Sequence, residues 1–337
     1  MNLVERKNRH IELALEQREV KSGFDDLRIR HRALPEVNLC DIDLQTRFLG
    51  RLLSAPVFVS SMTGGPQQSE KINMHLAEAC RETGLAMGVG SQRINFQTGH
   101  KGGLSRSIRE AIGTQPLMAN FGAVNLTQLK DVAYLENILE PLQADALILH
   151  LNAMQEVFQP GGDTNWRGVL KSIERTCAWC PVPVIVKEVG FGLDSRSALL
   201  LANAGVTMLD IAGRGGTRFD RIEQQMAHES GSSNHTNDVF AGWGLNTVEA
   251  LEQVRRACPD STLLASGGIR NGLDIAKALC MGATAAGVAG AVLRASLVST
   301  SEVIQVLNRF KMELRIACFG AGVGSVSRLN PDLFDIT

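Results

Sequence analysis

Short apolar runs alternate with amphipathic segments along most of the chain, and eight such runs can be recognised. They cover residues 55–62, 86–90, 116–123, 146–152, 183–189, 208–213, 262–269 and 285–290. Their continuous apolar character is typical of strands buried on both faces, and segments 69–84 and 271–282 have the apolar spacing of covering helices. Eight repeats of strand and helix predict an α/β fold, a TIM (β/α)8 barrel. An open doubly wound sheet remains the alternative.

The first fifty residues lack this alternation and are mostly charged helical and loop sequence. A chain of 337 residues exceeds a minimal barrel by enough for such an extension, but not for a second large domain. We therefore expect an N-terminal helical extension over residues 1–50 that contributes to the substrate site, a barrel over 51–325 and a C-terminal tail over 326–337.

Composition narrows the choice of partners and compartment. The 34 Lys and Arg residues are balanced by 35 Asp and Glu residues, so no net field attracts nucleic acid or a membrane surface. The seven cysteines are scattered and odd in number, and no apolar run reaches the length of a signal or membrane segment. We expect a cytoplasmic protein in a reducing compartment, with no nucleic acid and no membrane as partner.

Small or polar residues follow every predicted strand, and in a barrel these strand ends converge on one mouth. Glycine turns after the last two strands, at 266–272 and 289–290, would let backbone amides and helix dipoles approach an anion. They predict a phosphate site. A third turn, at 213–217, brings Thr217 nearby, although an ordinary tight turn would explain it as well.

Lys187 lies in the segment PVIVKEVG, between β-branched residues and the end of the fifth predicted strand. A cation on a buried strand is costly unless it meets an anion, so we expect Lys187 to face a bound negative group. Thr63, Ser91 and Asn120 add hydrogen-bonding side chains at the ends of other strands, which suits the edge of a flavin ring. An ammonium there stabilises the anionic reduced ring, so one phosphate site and one basic strand residue predict FMN.

The segment HLNAMQE ends the fourth predicted strand with His150, Asn152, Gln155 and Glu156. A lone carboxylate at a phosphate-lined mouth would repel its ligand, so we expect Glu156 to hold Mg²⁺ that bridges to a diphosphate. The alternative is an acidic residue in the first turn of a helix, where carboxylates are common.

Basic residues near the N-terminus complete the candidate site. Arg6, Lys7 and His10 fall at helical spacing on or near one face, and Arg93 directly follows the second predicted strand. A basic helix face is usually solvated surface. Beside a flavin and a metal-binding carboxylate, a diphosphate cradle becomes the preferred interpretation.

These motifs, taken in order, resemble those of type 2 isopentenyl diphosphate isomerase, a flavin-dependent family. The resemblance runs from residue 6 to about 325 and rests on RKNRH, SMTGG, GSQR, HLNAMQE, PVIVKEVGFG, GRGGT, WGLNT and SGGIRNGLD. The combination of HLNxxQE with VKEVGFG is specific, whereas the glycine turns would match many FMN barrels. Ser61 stands where many members carry alanine, and the segment after GRGGT differs in length among relatives.

The resemblance implies interconversion of isopentenyl and dimethylallyl diphosphate in isoprenoid biosynthesis, with reduced FMN as acid and base, Mg²⁺ and NADPH as flavin reductant. It also implies a homo-oligomer, either a tetramer or an octamer. The implied FMN contacts are Met62, Thr63, Gly64, Ser91, Asn120, Lys187, Thr217, Gly267, Gly268, Ala289 and Gly290. The implied substrate contacts are Arg6, Lys7, His10, Ser91, Gln92, Arg93 and Gln155. The implied metal ligand is Glu156, and the implied catalytic residues are Lys187, Gln155, His150 and Asn152.

Three other classes compete with this interpretation. FMN-dependent 2-hydroxy acid oxidases and dehydrogenases resemble one another in a His-Gly-Gly-Arg stretch, whereas residues 212–217 read AGRGGT without histidine. Inosine monophosphate dehydrogenase needs a nucleophilic cysteine in its loop, and no cysteine lies between Cys180 and Cys258. A non-catalytic phosphate-binding barrel would use glycine turns but has no need for HLNAMQE and Lys187 at one mouth.

Overall fold

The computed structural model describes residues 3–17, 21–62, 68–93, 104–129, 131, 133–231 and 237–335. Eight parallel strands close into a barrel in chain order, which confirms the TIM fold and excludes the open sheet. A two-stranded antiparallel hairpin, β1 (Thr46–Phe48) and β2 (Arg51–Leu53), precedes it. The barrel strands are β3 (Val57–Val59), β4 (Ala86–Gly88), β5 (Leu117–Gly122), β6 (Ala146–Leu151), β7 (Val184–Glu188), β8 (Met208–Asp210), β9 (Thr262–Ala265) and β10 (Ala285–Val288).

Helices cover the outside of the barrel. In chain order they are α1 (Leu3–Glu16), α2 (Gln68–Thr83), α3 (Arg106–Ile112), α4 (Ala133–Leu139), α5 (Ala153–Phe158), α6 (Val169–Trp179), α7 (Ser195–Asn203), α8 (Phe219–Glu229), α9 (Thr247–Ala257), α10 (Gly272–Cys280), α11 (Gly290–Val298) and α12 (Thr300–Ala321). Helices α2 and α10 confirm the two helical segments expected from the sequence. Within the described residues, no helix has both the length and the apolar character needed to span a bilayer.

Alternate residues of each strand pack on opposite sides, as strand geometry requires. Leu147 and Leu149 of β6 belong to the apolar layer between strands and helices, whereas Ala146 and Ile148 fill the barrel interior. The same alternation holds on β7, where Ile185 points inward. Continuous apolar runs therefore read as strands because both of their faces are buried.

The hairpin of β1 and β2 closes the amino-terminal end of the barrel. Phe48 and Leu53 are buried with the interior residues, and the Phe48 ring stacks on Phe58 of β3 at a centroid distance of 6.1 Å. The sequence had suggested mostly helix and loop over the first fifty residues, so β1 is a departure. Strands of three residues with a charged member carry too little alternation to be recognised.

The remaining N-terminal segment packs along the outside of the barrel. Leu13 of α1 is buried against Ile222 and Met226 of α8. Phe24 is fully buried, and its carbonyl accepts a hydrogen bond of 2.7 Å from the buried ammonium of Lys277 on α10. The C-terminal tail returns to the same segment, where Asp335 N donates to Arg28 O at 3.0 Å. The boundaries expected for the three regions stay a prediction.

Candidate functional site

Polar side chains lie above the apolar interior at the carboxyl ends of neighbouring strands. Continuing the inward alternation beyond Met118, Ile148, Ile185, Met208 and Leu264 leads to five such residues, which we call the polar layer. Its members are Asn120 on β5, His150 on β6, Lys187 on β7, Asp210 on β8 and Ser266 directly after β9. Because parallel strands end on the same side of a barrel, the polar layer lies at its mouth.

His150 is held as a neutral ring. Its Nδ1 lies 2.8 Å from Oδ1 of Asn120, an oxygen that can only accept, so this nitrogen carries the proton. Burial, with the nearby charges of Lys187 and Arg93, lowers the pKa of His150 to about 3. At neutral pH the ring is therefore an oriented polar group whose Nε2 is a hydrogen-bond acceptor, and it does not act as a cationic acid.

Lys187 meets an anion supplied by the protein itself. Its Nζ lies 4.0 Å from Oδ2 of Asp210 and donates a hydrogen bond of 2.6 Å to the carbonyl of Glu188. Asp210 is 1% exposed, and its Oδ1 accepts a hydrogen bond of 2.7 Å from Ser266 Oγ. The expected negative partner thus exists within the barrel, and a bound ligand would be a second one.

The glycine turns lie together at the mouth and leave room for a phosphate. Gly267 has φ +92°, and a Cβ there would come within 2.1 Å of Gly213 O, so this approach of two turns requires glycine. Helix α11 begins at Gly290, preceded by Ala289, and a Cβ on Gly290 would meet nothing within 4 Å. The first amides of a helix lack partners within it, so the start of α11 offers hydrogen-bond donors to an anion. These residues fit an FMN phosphate.

The other residues expected at FMN are only partly described. Met62, Ser91 and Thr217 are half-buried, and Ser91 Oγ accepts a hydrogen bond of 3.4 Å from Arg93 N. Thr63 and Gly64 lie outside the described residues. The hydroxyl of Ser61 is buried without a hydrogen-bond partner, which marks a polar atom available to a ligand.

Glu156 is buried at the start of α5, next to the polar layer. One carboxylate oxygen accepts a hydrogen bond of 2.9 Å from Asn152 Nδ2, and the other accepts one of 2.7 Å from Asp163 N. The guanidinium of Arg93 lies 3.8 Å from Glu156 and 2.9 Å from Asp163. The Oδ1 atom of Asn152 is buried and unpaired, so a second oxygen ligand lies beside the carboxylate.

These oxygens fit a hydrated Mg²⁺, which prefers one or two carboxylates and several waters. In the described part of the chain, no group of three or more His, Cys, Asp or Glu side chains is arranged around a common metal position. A metal at Glu156 would therefore complete its coordination with amide oxygens, water or substrate oxygens.

Glu223 on α8 gathers several of the expected substrate contacts. Its fully buried carboxylate accepts hydrogen bonds from Arg6 at 2.9 Å and 3.0 Å and from Gln155 Nε2 at 3.0 Å, and His10 Nε2 lies 3.2 Å away. Burial alone would raise the pKa of Glu223, but the nearby His10 ring, the charge of Arg6 and the hydrogen bond from Gln155 hold it below its ordinary value. The Lys7 side chain lies outside the described residues.

Gln92 has a different environment from its neighbours in the motif. Its side chain is fully buried. It donates a hydrogen bond of 2.8 Å to Ile138 O and accepts one of 3.2 Å from Asn120 N. Both ends of the amide therefore bind the backbone, and one of them fixes the strand that carries Asn120. The expected substrate contact of Gln92 stays a prediction, as do the roles of the other site residues.

Sequence reasoning missed Asp210, Glu223 and Asp163. Asp210 ends the apolar run MLD, so the same signal that identified Lys187, a charge at the end of a buried strand, could have found it. Glu223 is one of several acidic residues on an amphipathic helix, and its importance depends on contacts with α1, which are remote in sequence. Local patterns do not identify such a residue.

Comparison with known proteins places the chain among flavin enzymes. Residues 10–96 and 126–336 match the family described as FMN-dependent dehydrogenase. The isopentenyl-diphosphate delta-isomerase of Cronobacter sakazakii is 46% identical over 334 residues, which cover 97% of this chain and 95% of that protein. The isopentenyl-diphosphate delta-isomerase of Pseudescherichia vulneris is 46% identical over 331 residues, again 97% and 95% of the two chains.

Among solved structures, an oxidised active mutant of (S)-mandelate dehydrogenase superposes with a TM-score of 0.69 and 17% identity, and 99% of each chain is covered. At that identity the likeness shows the fold alone, a TIM barrel. The reaction that this chain catalyses must therefore be inferred from the relatives that are similar along their whole length and from the residues at the mouth.

Proposed function

Because the chain belongs to the isopentenyl-diphosphate delta-isomerases within the FMN-dependent dehydrogenase family, we infer that it interconverts isopentenyl diphosphate and dimethylallyl diphosphate. The reaction is a 1,3-allylic rearrangement in isoprenoid biosynthesis. The structural observation that carries this inference is that Glu223 joins Gln155 to Arg6 of helix α1 at the mouth that also holds Lys187. A simple phosphate-binding barrel has no use for that combination.

FMN is the cofactor, and in its reduced form it supplies a group that can give and take a proton beside the alkene without net consumption of electrons. We assign its ring edge to Asn120 and Lys187 and its phosphate to the turns at Gly267, Gly268, Ala289 and Gly290. The expected contacts of Met62, Ser91 and Thr217 are supported by their position after strands or in the third glycine turn. Those of Thr63 and Gly64 rest on the family resemblance.

The diphosphate of the substrate is assigned to the basic residues around α5. Arg93 lies beside Glu156, so a Mg²⁺ ion on that carboxylate and the guanidinium would share one diphosphate. Arg6 and His10, with Lys7, would close over it from α1. The bond of Arg6 to Glu223 fixes the guanidinium before substrate arrives, which lowers the entropy cost of binding.

Moving a double bond by one carbon requires a proton to be added at one carbon and another to be removed elsewhere. Gln155 is a neutral amide, held by Glu223, and its role is to orient the substrate or a proton in transit. We assign His150 and Asn152 as polar groups that surround the reacting carbons. His150 does so as a neutral ring. The anchored diphosphate fixes the distance between alkene and ring, which raises the effective concentration of the reacting groups.

Further properties follow from the family resemblance and are part of the proposal. NADPH would reduce the flavin, the chain would assemble as a tetramer or octamer, and the enzyme would work in the cytoplasm. The N-terminal region 1–50 would complete the substrate site, the barrel of 51–325 would bind FMN, and residues 326–337 would form a tail. The contact of α1 with Gln155 through Glu223 supports the first of these assignments.

The test is an anaerobic incubation of the flavin-loaded protein with isopentenyl diphosphate, Mg²⁺ and NADPH. We expect dimethylallyl diphosphate to accumulate to an equilibrium that is also reached from the other side, without net oxidation of NADPH beyond flavin reduction. Bound, reduced flavin without any product would overturn the assignment. Oxidation of a 2-hydroxy acid by the oxidised holoprotein, with oxygen or an artificial electron acceptor supplied, would instead support the oxidase alternative.

A further inference from the structure

Asp210 and Lys187 form a buried charge pair on adjacent strands. The two residues are register partners of β7 and β8, and both side chains continue the inward alternation of their strands. They are 1% and 8% exposed, respectively. A buried ammonium without a counter-ion is costly, so the carboxylate offsets part of the cost of burying Lys187 inside the barrel.

The geometry of the pair leaves the ammonium available to a ligand. A separation of 4.0 Å between Nζ and Oδ2 is too long for a hydrogen bond, although the Coulomb interaction persists. Of the three ammonium protons, one is donated to the carbonyl of Glu188 at 2.6 Å. Asp210 consequently balances the charge of Lys187 without using its remaining donors.

The carboxylate of Glu188 also interacts with the charge of Lys187, but backbone amides, and not the ammonium, fix its position. The carboxylate of Glu188 accepts hydrogen bonds of 2.5 Å to 3.1 Å from the amides of Val189, Gly190, Phe191 and Gly192, so it is bound to its own loop. His150, on the opposite side of Lys187, is neutral. Ser266 donates a hydrogen bond of 2.7 Å to Asp210 Oδ1 and so fixes the carboxylate through the oxygen that does not face Lys187.

We propose that Asp210 is a positioning residue that acts through Lys187 and sets how much positive potential the ammonium presents to bound FMN. The inference rests on the proposed function only in requiring FMN at this mouth. Reduction adds negative charge to the flavin, and an ammonium nearby favours that state. A carboxylate behind the ammonium offsets part of this effect, so Asp210 keeps the flavin from being held too strongly in the reduced, anionic state.

The experiment measures the midpoint potential of bound FMN in the holoprotein, together with the affinities for oxidised and reduced FMN. In Asp210→Asn the ammonium loses its counter-ion while the side-chain shape and a group for Ser266 to bond are kept. We expect the preference for reduced over oxidised FMN to rise at least about tenfold, which for a two-electron couple is roughly a 30 mV rise in potential. An unchanged or lower potential would overturn the proposal.

A matched control separates this local effect from a general loss of charge. Asp145 lies at the amino-terminal end of β6, where it pairs with Arg109 at 2.6 Å, at the opposite end of the barrel from the mouth. Asp145→Asn removes the same charge and should leave the potential of FMN unchanged. An equal shift in both variants would show that Asp210 has no special relation to the flavin, and the proposal would fail.

A double-mutant cycle tests whether the effect passes through Lys187. In a Lys187→Met background, Asp210→Asn should change the reduced-to-oxidised preference less than threefold, because the charge that Asp210 offsets is gone. A full tenfold effect there would mean a direct action on the flavin and would refute the positioning role. If Asp210→Asn does not fold, Asp210→Ser removes the same charge, and the same outcomes apply.

The measurements distinguish this proposal from the proposed function. A wild-type protein that binds no FMN would sink both, whereas FMN bound with an unchanged potential in Asp210→Asn would sink only the role of Asp210. Isomerase turnover is not needed for either result.

Discussion

Charges at the mouth of the barrel are arranged as pairs in which the acidic partner is buried. Arg6 is held by Glu223, and Lys187 faces Asp210. Side chains bound in this way lose little freedom when a ligand arrives, which favours binding of an anionic substrate. The free energy spent in burying the acidic partners is offset only while both members of each pair remain.

The buried neutral ring of His150 makes stability depend on pH. Its pKa is about 3 in the folded protein and about 6.5 in an unfolded chain, so the folded state favours the neutral ring. The associated stability is complete above pH 6.5 and is lost as the pH falls towards 3, by up to about 1.4 kcal/mol per pH unit. Urea unfolding between pH 6 and pH 4 should therefore show a shallower pH dependence in His150→Asn. An exposed control, His31→Asn, should keep the wild-type slope.

Replacement of Glu156 by Gln tests the metal assignment. The amide keeps nearly the same volume and can still bond Asn152 or Asp163 N, but it lacks the charge that holds a divalent cation. We expect the Mg²⁺ concentration for half-maximal activity to rise at least about tenfold, a loss of about 1.4 kcal/mol in metal binding. Flavin content, read from the absorption spectrum, should stay unchanged. An identical Mg²⁺ titration in both proteins would remove Glu156 from the ligand set.

Sequence reasoning identified Lys187 and Glu156 because each is a charge at the end of an apolar run, where a burial cost demands an explanation. It did not assign roles to their partners. The carboxylate of Glu223 is buried because α1 folds over it, and Arg6 is 217 residues away in the chain. Such a pairing is a property of the tertiary fold and leaves no local signal.

The strands were the most predictable elements, since burial on both faces gives a continuous apolar run in the sequence. The ends of the strands were less predictable, because the run at 55–62 contains a strand of only Val57–Val59. Small and apolar residues continue beyond it, at 60–62, outside the strand. The hairpin was missed because Arg47 and Arg51 interrupt any alternation in its short strands.

The hairpin gives an element-level prediction. Phe48 is 3% exposed and stacks on Phe58, so Phe48→Ala would leave a cavity at the closed end of the barrel. We expect a loss of about 3–5 kcal/mol in the free energy of unfolding, measured by urea denaturation. Leu52, on the other face of the same hairpin, is 53% exposed, and Leu52→Ala should change stability by less than about 0.5 kcal/mol. Equal losses would show that the hairpin does not close the interior.

The molecule as a whole combines a barrel with an N-terminal helix, α1, that packs against the outer helices. Helix α1 contacts α8 through Arg6, Arg9 and the buried Leu13, and Glu223 and Gln155 link it to the residues at the strand ends. Ile11 is also buried in the main apolar cluster, and Leu15 O accepts a hydrogen bond of 2.5 Å from Arg294 on α11. The barrel strands, however, pair with one another, and the turn at Gly267 packs on Gly213. Flavin binding and substrate binding should therefore be separable.

Deletion of residues 1–17 tests this separation. The truncated chain should retain its circular dichroism spectrum and bind FMN, while kcat/KM falls at least about 100-fold, because each lost charge-assisted bond contributes about 1.5–3 kcal/mol. As a control within α1, Arg9→Ala breaks exposed pairs with Glu12 and Glu229 and should leave kcat/KM unchanged. A truncated protein with full activity would contradict the substrate role of α1.

The bond between Phe24 O and Lys277 Nζ spans 253 residues, and it has a consequence for how the protein matures in a cell. At about 5–20 residues per second, a ribosome needs roughly 13–50 s to make the intervening chain. Throughout that time the leading segment has emerged without the surface on which it will dock. A nascent chain thus offers an early target to chaperones and proteases, and flavin loading must wait until translation is nearly finished.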